Sequence, residues 1–416
     1  MDKDTLLNIL DKQGYTRTCG VFFEQIDHKT ANQLIEACDN PLITRISAMP
    51  DMHYGNIIPI GSVIETNGYV SSVGVGADQG CGMSSVSIPC ILSTDLSKES
   101  LRLIQDLIIK EIPTGYTRHK DAKSWGLENN LTSEPKKIFD EVEGLKQLGT
   151  LGGGNHFIEL GVVHNDVLSF DRSTVFTNPY KLRLTIHSGS RGAGAKIATM
   201  YNRLFKEECN SYKNMLQYVS INSSIAKNFI NDLNIMMEFA LHNRALMTLQ
   251  ILDIISRVIY GKSSTLTEKQ LFNLPKKDWI NKLHNTATCT EDGKVLIRKG
   301  ATDASFGNYG VIPGNMSDGC AIVIGKGNEL SLNSSSHGAG RVFSRSEAKK
   351  TLNVDTHKTR MAGILCDDPS QTLDESAKAY KDFYEVLELQ KDLIDIIEYS
   401  FPILNRKDAK PSEEGC

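Results

Sequence analysis

A histidine that lies among small residues and precedes two arginines is the feature of this sequence best suited to phosphate chemistry. Residues 335–345 read Ser-Ser-His-Gly-Ala-Gly-Arg-Val-Phe-Ser-Arg. Small neighbours let a bulky anion approach the imidazole of His337 closely. The guanidinium groups of Arg341 and Arg345 suit phosphate oxygens. The segment therefore predicts a histidine that attacks a phosphate.

A carboxylate and a thiol stand three residues apart in a second glycine-rich segment. Residues 74–82 read Gly-Val-Gly-Ala-Asp-Gln-Gly-Cys-Gly, so a turn there can point Asp78 and Cys81 at one ion. Both groups bind metals when they are deprotonated. Taken alone, the segment is weak evidence for a metal site, because a tight turn with a buried cysteine explains it more simply.

Three histidines lie in comparable segments, each beside glycine or small polar residues: His156, His187 and His284. A single histidine is more often structural than a metal ligand. Together with Asp78 and Cys81, however, these histidines make up a set of imidazole, carboxylate and thiolate groups, the usual ligands of transition metals. The sequence therefore predicts a metal site.

One more histidine has an unusual setting. His53 ends the run Met-Pro-Asp-Met-His and is followed by Tyr-Gly. Surface or structural roles are expected for His28, His119, His164, His242 and His357, and His53 is the exception outside the predicted metal site and His337.

The composition is that of a soluble globular protein with a sizeable core. The 416 residues are 40% hydrophobic and 23% charged, enough for one large domain or two ordinary ones. The net charge of -4 gives no global basic field, so contact with nucleic acid requires a local cleft. No apolar stretch is long enough for a membrane span, and the first residues lack a signal-peptide pattern. The nine cysteines show no paired spacing, which predicts reduced thiols in the cytoplasm.

Strand-like and helical patterns are mixed along the chain without strict alternation, which favours an α+β fold over a doubly wound sheet. The helical patterns include the longest, over residues 225–260, and an amphipathic one over residues 374–398. The strand-like runs cover residues 57–65, 83–90, 157–163, 182–187, 295–298 and 321–324. The polar motifs lie between these segments, so the elements must bring their own ends together to form a site.

Taken in this order, the motifs resemble the RtcB family of RNA-splicing and repair ligases. The resemblance covers most of the chain, and chance does not produce so many specific motifs in one order. The matching motifs are residues 49–53, 59–61, 74–82, 148–159, 187–192, 284–287, 298–302, 312–316 and 337–345.

The resemblance implies one large α+β ligase domain over residues 1–407, with a tail at residues 408–416. Mixed and antiparallel sheets, surrounded by helices, would enclose a central metal cleft. Members of the family often stop just after a Lys-Gly pair, whereas here Asp408 follows Lys407 and the chain continues.

For the metal site, the resemblance implies two Mn²⁺ ions bridged by Cys81. Asp78 and His156 would hold one ion, and His187 and His284 would hold the other. The ligand types alone also fit cobalt, zinc or iron, so the choice of manganese rests on the family.

For the reaction, the resemblance implies that His337 takes GMP from GTP as a phosphoramidate, and that an RNA 3′-phosphate or 2′,3′-cyclic phosphate is then joined to a 5′-hydroxyl. Asp51 is similar to a family acidic residue near the metals. Contacts with the nucleotide are implied for Asn155, Glu159, Asn315, Arg341 and Lys407, and contacts with RNA or phosphate for Arg191 and Arg345. The implied partners are such RNA ends and GTP, and a need for an archease-like activator is left open.

Two other functions remain open at this stage. A two-metal RNA phosphodiesterase or cyclic-phosphate hydrolase would retain the metal ligands but act without GTP or ligation. A non-catalytic RNA-binding protein would give no reason for the predicted ligands. Residues 315–319 read Asn-Met-Ser-Asp-Gly, where members of the family commonly have Ser-Met-Gly. Because that segment lines the guanine pocket in the family, the nucleotide preference is also open.

Overall fold

The computed structural model describes residues 1–15, 19–209 and 216–408. The predicted tail lies outside the described residues, apart from Asp408. The strands are β1 (Cys19–Val21), β2 (Ile43–His53), β3 (Ile60–Asn67), β4 (Tyr69–Ser71), β5 (Gly82–Leu92), β6 (Phe157–His164), β7 (Lys181–Ser188), β8 (Tyr218–Ser220), β9 (Trp279–Leu283), β10 (Asn285–Cys289), β11 (Lys294–Lys299), β12 (Ala301–Asp303), β13 (Tyr309–Pro313), β14 (Cys320–Gly325), β15 (Ser334–Ser336), β16 (Leu365–Cys366) and β17 (Ile394–Lys407).

Helices lie between these strands, so the predicted α+β class is confirmed. The helices are α1 (Lys3–Lys12), α2 (His28–Cys38), α3 (Ser72–Val75), α4 (Lys98–Glu111), α5 (Ser133–Glu141), α6 (Gly144–Gln147), α7 (Arg191–Glu208), α8 (Ser224–Tyr260), α9 (Glu268–Phe272), α10 (Arg345–Thr351), α11 (Val354–Arg360) and α12 (Phe383–Glu388). Short 3₁₀ turns occupy several of the connections.

The largest sheet has eight strands and brings four chain segments to one edge. Its order is β13-β14-β17-β6-β7-β5-β9, with β16 paired in parallel to β17 and all other neighbours antiparallel. In antiparallel pairs, the start of one strand lies beside the end of the next. The first residues of β6 and β5 therefore lie beside the last residues of β7 and β9. Phe157 is opposite His187, and Gly82 is opposite both Ser188 and Leu283.

A five-stranded sheet with the order β1-β2-β3-β11-β10 carries the other polar motifs. Strand β2 ends at His53 and includes Asp51. A separate two-stranded ladder pairs β12 with β15 and sets Ala301 opposite Ser336. The amide of Ala301 donates a hydrogen bond of 3.1 Å to the carbonyl of His284. This ladder therefore places residue 337 next to the edge of the large sheet.

The long helix α8 packs across β5, β7 and β9, and it confirms the helix predicted over residues 225–260. Its amino end is capped by the hydroxyl of Ser223, which accepts a hydrogen bond from the amide of Ala226. Gly261 ends it with a φ of 66°, the left-handed conformation typical of helix carboxyl ends. The face of α8 that packs on the sheet consists mostly of buried apolar residues. The polar residues Asn243 and Arg244 are also fully buried.

The single amphipathic helix predicted over residues 374–398 is wrong. The chain there forms two 3₁₀ turns (Pro369–Glu375 and Ala377–Ala379), then α12, and then the start of β17. Asp382 caps α12 by accepting backbone hydrogen bonds from its first turn. Beyond it, Ile394, Ile396 and Ile397 are β-branched and suit a strand. Pairing with β14 satisfies the backbone of residues 394–398, which the local helical spacing of apolar residues could not reveal.

Two large apolar cores hold the sheets and helices together. One includes Leu34, Ile64 and Phe229, and the other lies between the large sheet and helices α4 and α8, with Ile186 and Ile254 inside it. Among the helices of the described ranges, none combines the length and the apolar character that crossing a membrane requires.

Candidate active site

Three of the predicted metal ligands meet at the edge of the large sheet. Cys81 immediately precedes β5, His156 immediately precedes β6, and His187 is the penultimate residue of β7. The sulfur of Cys81 lies 3.1 Å from Nε2 of His187 and 3.5 Å from Nε2 of His156. All three side chains are buried, and their ligand atoms lie within 4.8 Å of one another. These residues therefore form a compact donor cluster.

The other two predicted ligands extend this cluster on opposite sides. Oδ2 of Asp78 lies 2.9 Å from Nε2 of His156, and Nε2 of His284 lies 3.3 Å from Nε2 of His187. Burial raises the pKa of Asp78, but the hydrogen bond from His156 and the charges nearby outweigh it and hold the pKa at about 2. All five predicted ligands thus converge, with the carboxylate ionised.

The protonation of the imidazoles also fits metal binding. Nδ1 of His187 lies 3.2 Å from the carbonyl of Asn155, and Nδ1 of His156 lies 3.1 Å from the carbonyl of Leu151. A carbonyl only accepts hydrogen bonds, so Nδ1 of His187 carries the proton and its Nε2 turns a lone pair into the cluster. His156 instead donates from Nε2 to Asp78, and metal binding at that nitrogen would displace the proton. Burial lowers the pKa values of His187 and of His284 well below the usual range, which keeps both rings neutral. Neutral imidazoles are the form that coordinates metals.

Two residues that the sequence analysis missed hold the ligand loops in place. Oδ1 of Asn243 accepts hydrogen bonds from the amides of Gly149 (2.7 Å) and Thr150 (3.0 Å), while its Nδ2 donates to groups of Thr150, Ser188 and Gly189. One amide side chain of α8 therefore fastens the loops that precede β6 and follow β7.

The second missed residue, Arg244, fastens the loop that carries Asp78 and Cys81. Its guanidinium donates hydrogen bonds to the carbonyls of Gly80 (3.2 Å) and Ser188 (2.6 Å). Burial lowers the pKa of Arg244 to about 10, and the charges of Cys81 and Asp78 oppose that fall. The buried cation therefore remains charged at neutral pH and offsets the negative ligands. In the sequence, Asn243 and Arg244 are adjacent polar residues within an otherwise apolar helical stretch, and that pattern could have indicated a buried polar role.

His337 lies against the cluster and is held by Asp51. Its ring centroid is 4.9 Å from that of His284. Oδ2 of Asp51 lies 2.7 Å from Nδ1 of His337 and accepts 3.2 Å hydrogen bonds from the amides of His337 and Gly338. A carboxylate at Nδ1 assigns the proton to that nitrogen and leaves the lone pair on Nε2. The ring is thereby prepared to act as a nucleophile through Nε2.

The backbone around Asp51 is packed tightly enough to fix this pair. Gly340 has a φ of +75°, and a Cβ there would lie 2.2 Å from the carbonyl oxygen of Asp51. Nζ of Lys381 donates hydrogen bonds to the carbonyls of Pro50 (2.9 Å) and Met52 (2.8 Å) on either side. Because glycine alone allows the close approach, the two chain segments pack directly on each other.

A cavity of about 850 Å³ opens beside the cluster and His337. This volume lies within the range of small-molecule sites. Its lining includes all five predicted nucleotide residues and one predicted phosphate-binding residue, namely Asn155, Glu159, Asn315, Arg341, Lys407 and Arg345.

The cationic residues of the cavity share one buried acidic residue, Glu375. Nζ of Lys407 lies 2.7 Å from Oε2 of Glu375, and Nη1 of Arg341 lies 3.4 Å from Oε1. Arg345 forms a close ion pair with Glu375 and a 2.7 Å pair with Asp374. Strand β17 delivers Lys407 to this point by pairing it with Phe157 of β6. Three cations therefore line one wall of the cavity around the carboxylate of Glu375, and Arg345 also forms an ion pair with Asp374.

Glu159 lies deeper in the same cavity and is almost fully buried. Burial raises its pKa to about 8, although hydrogen bonds from Cys320 and Asn405 oppose the rise. Nδ2 of Asn405 donates to Oε2 of Glu159 at 3.2 Å. The protein thus places a carboxyl group of weak acidity where a ligand can reach it.

Arg191 lies apart from the cavity. It is buried behind the cluster, with Nη1 3.2 Å from Nδ1 of His156 and Nη2 donating to the carbonyl of Gly115. The guanidinium therefore donates to Nδ1 of His156, whose Nε2 faces Asp78. Arg191 also borders a smaller cavity of about 230 Å³ with Arg118 and Lys196. Its predicted contact with RNA or phosphate stays a prediction.

Comparisons with known proteins cover most of the chain, including the residues of the donor cluster. Residues 33–408 match the family described as tRNA-splicing ligase RtcB. The RNA-splicing ligase RtcB of Escherichia coli strain K12 is 31% identical over 398 residues, covering 89% of this chain and 92% of the relative. The tRNA-splicing ligases RtcB of Nanoarchaeum equitans (29% identical, covering 85% of each chain) and Methanococcus maripaludis (27% identical, covering 89% of each) are also similar.

Proposed function

Because the chain belongs to the RtcB family of tRNA-splicing ligases, we propose that it joins an RNA 3′-phosphate or 2′,3′-cyclic phosphate to a 5′-hydroxyl with GTP and Mn²⁺. The placement of His337 between Asp51 and the donor cluster is the observation that carries this proposal.

In this proposal the five clustered residues would hold two Mn²⁺ ions. Cys81 lies between His156 and His187 and would contribute its thiolate to the ions. Asp78 and His156 would be ligands of one ion, and His187 and His284 would be ligands of the other. When bound, the ions supply positive charge that stabilises the phosphate oxygens during transfer.

His337 acts first, as the nucleophile. The lone pair of its Nε2 forms a bond to the α-phosphorus of GTP, the α–β phosphoanhydride bond breaks, and pyrophosphate leaves. Positive charge develops on the imidazole as the bond forms, and the carboxylate of Asp51 at Nδ1 stabilises that charge. Water first opens a 2′,3′-cyclic end to the 3′-phosphate. An oxygen of that phosphate then attacks the GMP phosphorus, the bond to Nε2 of His337 breaks, and GMP passes to the RNA. Attack by the 5′-hydroxyl on the RNA phosphorus finally expels GMP and joins the strands.

The chemical character of the cavity suits a guanine nucleotide. Guanine presents two N–H donors beside a carbonyl oxygen. Those donors would stabilise the ionised form of Glu159, which then accepts from them, while Lys407 provides a donor in the same cavity. Adenine reverses this pattern, so a preference for GTP follows from the hydrogen bonding. Asn155 and Asn315 would complete the nucleotide contacts, and Arg341 and Arg345 would contact phosphates.

The decisive experiment is to incubate the purified protein with labelled GTP and MnCl₂ and to measure covalent GMP by intact mass. Wild type is expected to gain one GMP, and His337→Ala none, whereas His164→Ala, at the half-buried far end of β6, matches wild type. Equal labelling of His337→Ala and wild type would contradict the nucleophile. Cleavage of cyclic-phosphate RNA without GTP, with no ligation, would instead identify a phosphodiesterase.

A further inference from the structure

His53 has a position in the cavity that the proposed function leaves unused. Its ring lies nearly parallel to that of His337, with an interplanar angle of 16° and centroids 6.4 Å apart. Both rings line the large cavity, and His53 is half-buried at the end of β2. A group bound beside the reactive imidazole therefore also lies beside His53.

The hydrogen bonding of His53 determines which nitrogen has the lone pair. Nδ1 lies 2.9 Å from the carbonyl oxygen of Asp51. Because that oxygen only accepts, Nδ1 carries the proton and Nε2 carries the lone pair. The ring is thus a proton acceptor at Nε2, fixed by the same residue whose carboxylate holds His337.

The surroundings of His53 keep the ring uncharged in the absence of ligand. Burial, followed by the charges of His337 and Lys381, lowers its pKa to about 4, while the hydrogen bond to the Asp51 carbonyl and the Asp51 carboxylate oppose the fall. Asp27, His28, Lys29 and Tyr54 are further titratable groups in the lining of this cavity. Bound phosphates add negative charge beside the ring and favour its protonated form, so the basicity of His53 increases when substrate is present.

We propose that His53 is a catalytic residue of the sealing step, the general base that accepts the proton of the RNA 5′-hydroxyl. This inference rests on the proposed function. As the 5′-oxygen forms its bond to the phosphorus of the activated 3′-end, its proton passes to Nε2 of His53. The phosphoanhydride bond to GMP breaks, GMP leaves with the bonding electron pair, and His53 then releases the proton to water.

The other histidines that line the cavity are less suited to this step. His187 turns its Nε2 toward Cys81, and His28 is exposed at the rim. In-line transfer places the attacking and leaving oxygens on opposite sides of the phosphorus. His337 has held the GMP and so lies on the side of the leaving group. His53 is therefore the imidazole of the cavity that remains to accept the proton of the attacking hydroxyl.

The test separates GMP transfer to His337 from sealing. His53→Asn retains an N–H that can donate to the Asp51 carbonyl but lacks the basic nitrogen. His53→Asn, the control His164→Asn and wild type are each assayed for covalent GMP. They are also assayed for sealing of a pre-activated RNA 3′-pp-5′G end to a 5′-hydroxyl strand. We expect His53→Asn to take up GMP within about twofold of wild type and to seal about 10²- to 10⁴-fold more slowly. Added imidazole is expected to restore part of the sealing rate of His53→Gly.

The outcomes distinguish this inference from the proposed function. Sealing by His53→Asn within about threefold of wild type overturns the general-base role but leaves the ligase proposal intact. Equal losses in GMP uptake and sealing, with no rescue by imidazole, also overturn it, because His53 would then support the shape of the site. Failure of wild type to take up GMP overturns the proposed function itself.

Discussion

Oδ2 of Asp51 contacts Nδ1 of His337 at 2.7 Å and also accepts hydrogen bonds from the amides of His337 and Gly338. One carboxylate oxygen therefore fixes both the ring and the backbone that carries it. Since Asp51 is fully buried, water does not compete for these contacts.

The first prediction concerns the charge of this residue. Asp51→Asn preserves an acceptor for the loop amides but removes the negative charge that stabilises the developing imidazolium. The rate of GMP uptake is expected to fall about 10²- to 10⁴-fold, with a small change in melting temperature. Rapid-quench labelling with GTP measures the rate, and labelling at the wild-type rate would refute the role assigned to Asp51.

A second prediction tests the metal cluster. Cys81→Ser removes the thiolate between His156 and His187, so both ions are expected to bind at least about 100-fold more weakly. Mn²⁺ content per chain after dialysis, measured by inductively coupled plasma mass spectrometry, reports the change. The exposed Cys289 provides the matched control, since Cys289→Ser should retain the wild-type content. Two ions per chain in both variants would argue against a bridging cysteine.

A third prediction concerns the support provided by α8. Asn243→Ala leaves the buried amides of Gly149 and Thr150 without their acceptor, which is expected to cost about 2–4 kcal/mol of unfolding free energy. Mn²⁺ affinity should fall as well, because the loops before β6 and after β7 lose their common anchor. Asn234→Ala, at an exposed position of the same helix, is the control for helix propensity. Similar urea midpoints for the two variants would show that Asn243 is not an anchor.

A fourth prediction follows from the pKa of Glu159, which burial raises to about 8. A raised pKa means that the folded protein binds more protons than the unfolded chain between the unfolded pKa, about 4.5, and pH 8. The stabilisation is complete below that range and is lost as the pH rises through it, by up to about 1.4 kcal/mol per pH unit. Urea unfolding without nucleotide should therefore show Glu159→Gln gaining on wild type from pH 5 to 8. The exposed Glu238→Gln variant should show no such trend.

The sequence predicted which side chains make up the candidate metal site, but not the residues that hold them in place. Asp78, Cys81 and three histidines stood out because glycine-rich segments surround them, and the structure brings all five together, although metal binding itself stays a prediction. Asn243 and Arg244 went unnoticed because their role depends on helix α8 crossing the sheet beneath the ligand loops. Such a crossing is set by tertiary packing, which local patterns do not contain.

The predicted helix over residues 374–398 failed for a related reason. Apolar residues in that segment have helical spacing, yet the backbone from Ile394 onward finds hydrogen-bond partners on two sides in β14 and β6. Pairing between strands that are distant in sequence outweighed the local preference. This error bears on the site, because the segment predicted as helix includes the start of β17, the strand that brings Lys407 to the cavity.

The position of β17 in the large sheet has a consequence for biosynthesis. This strand follows every other strand along the described chain, yet it lies between β14 and β6. Until the ribosome has made residues 394–407, the sheet consists of two separate parts, β13–β14 and β6-β7-β5-β9. The edge strands β14 and β6, which β17 later pairs with, then expose unpaired backbone N–H and C=O groups. Nascent chains at this stage would be the form most in need of chaperones, and stalled translation near residue 390 should yield aggregates rather than a partly active enzyme.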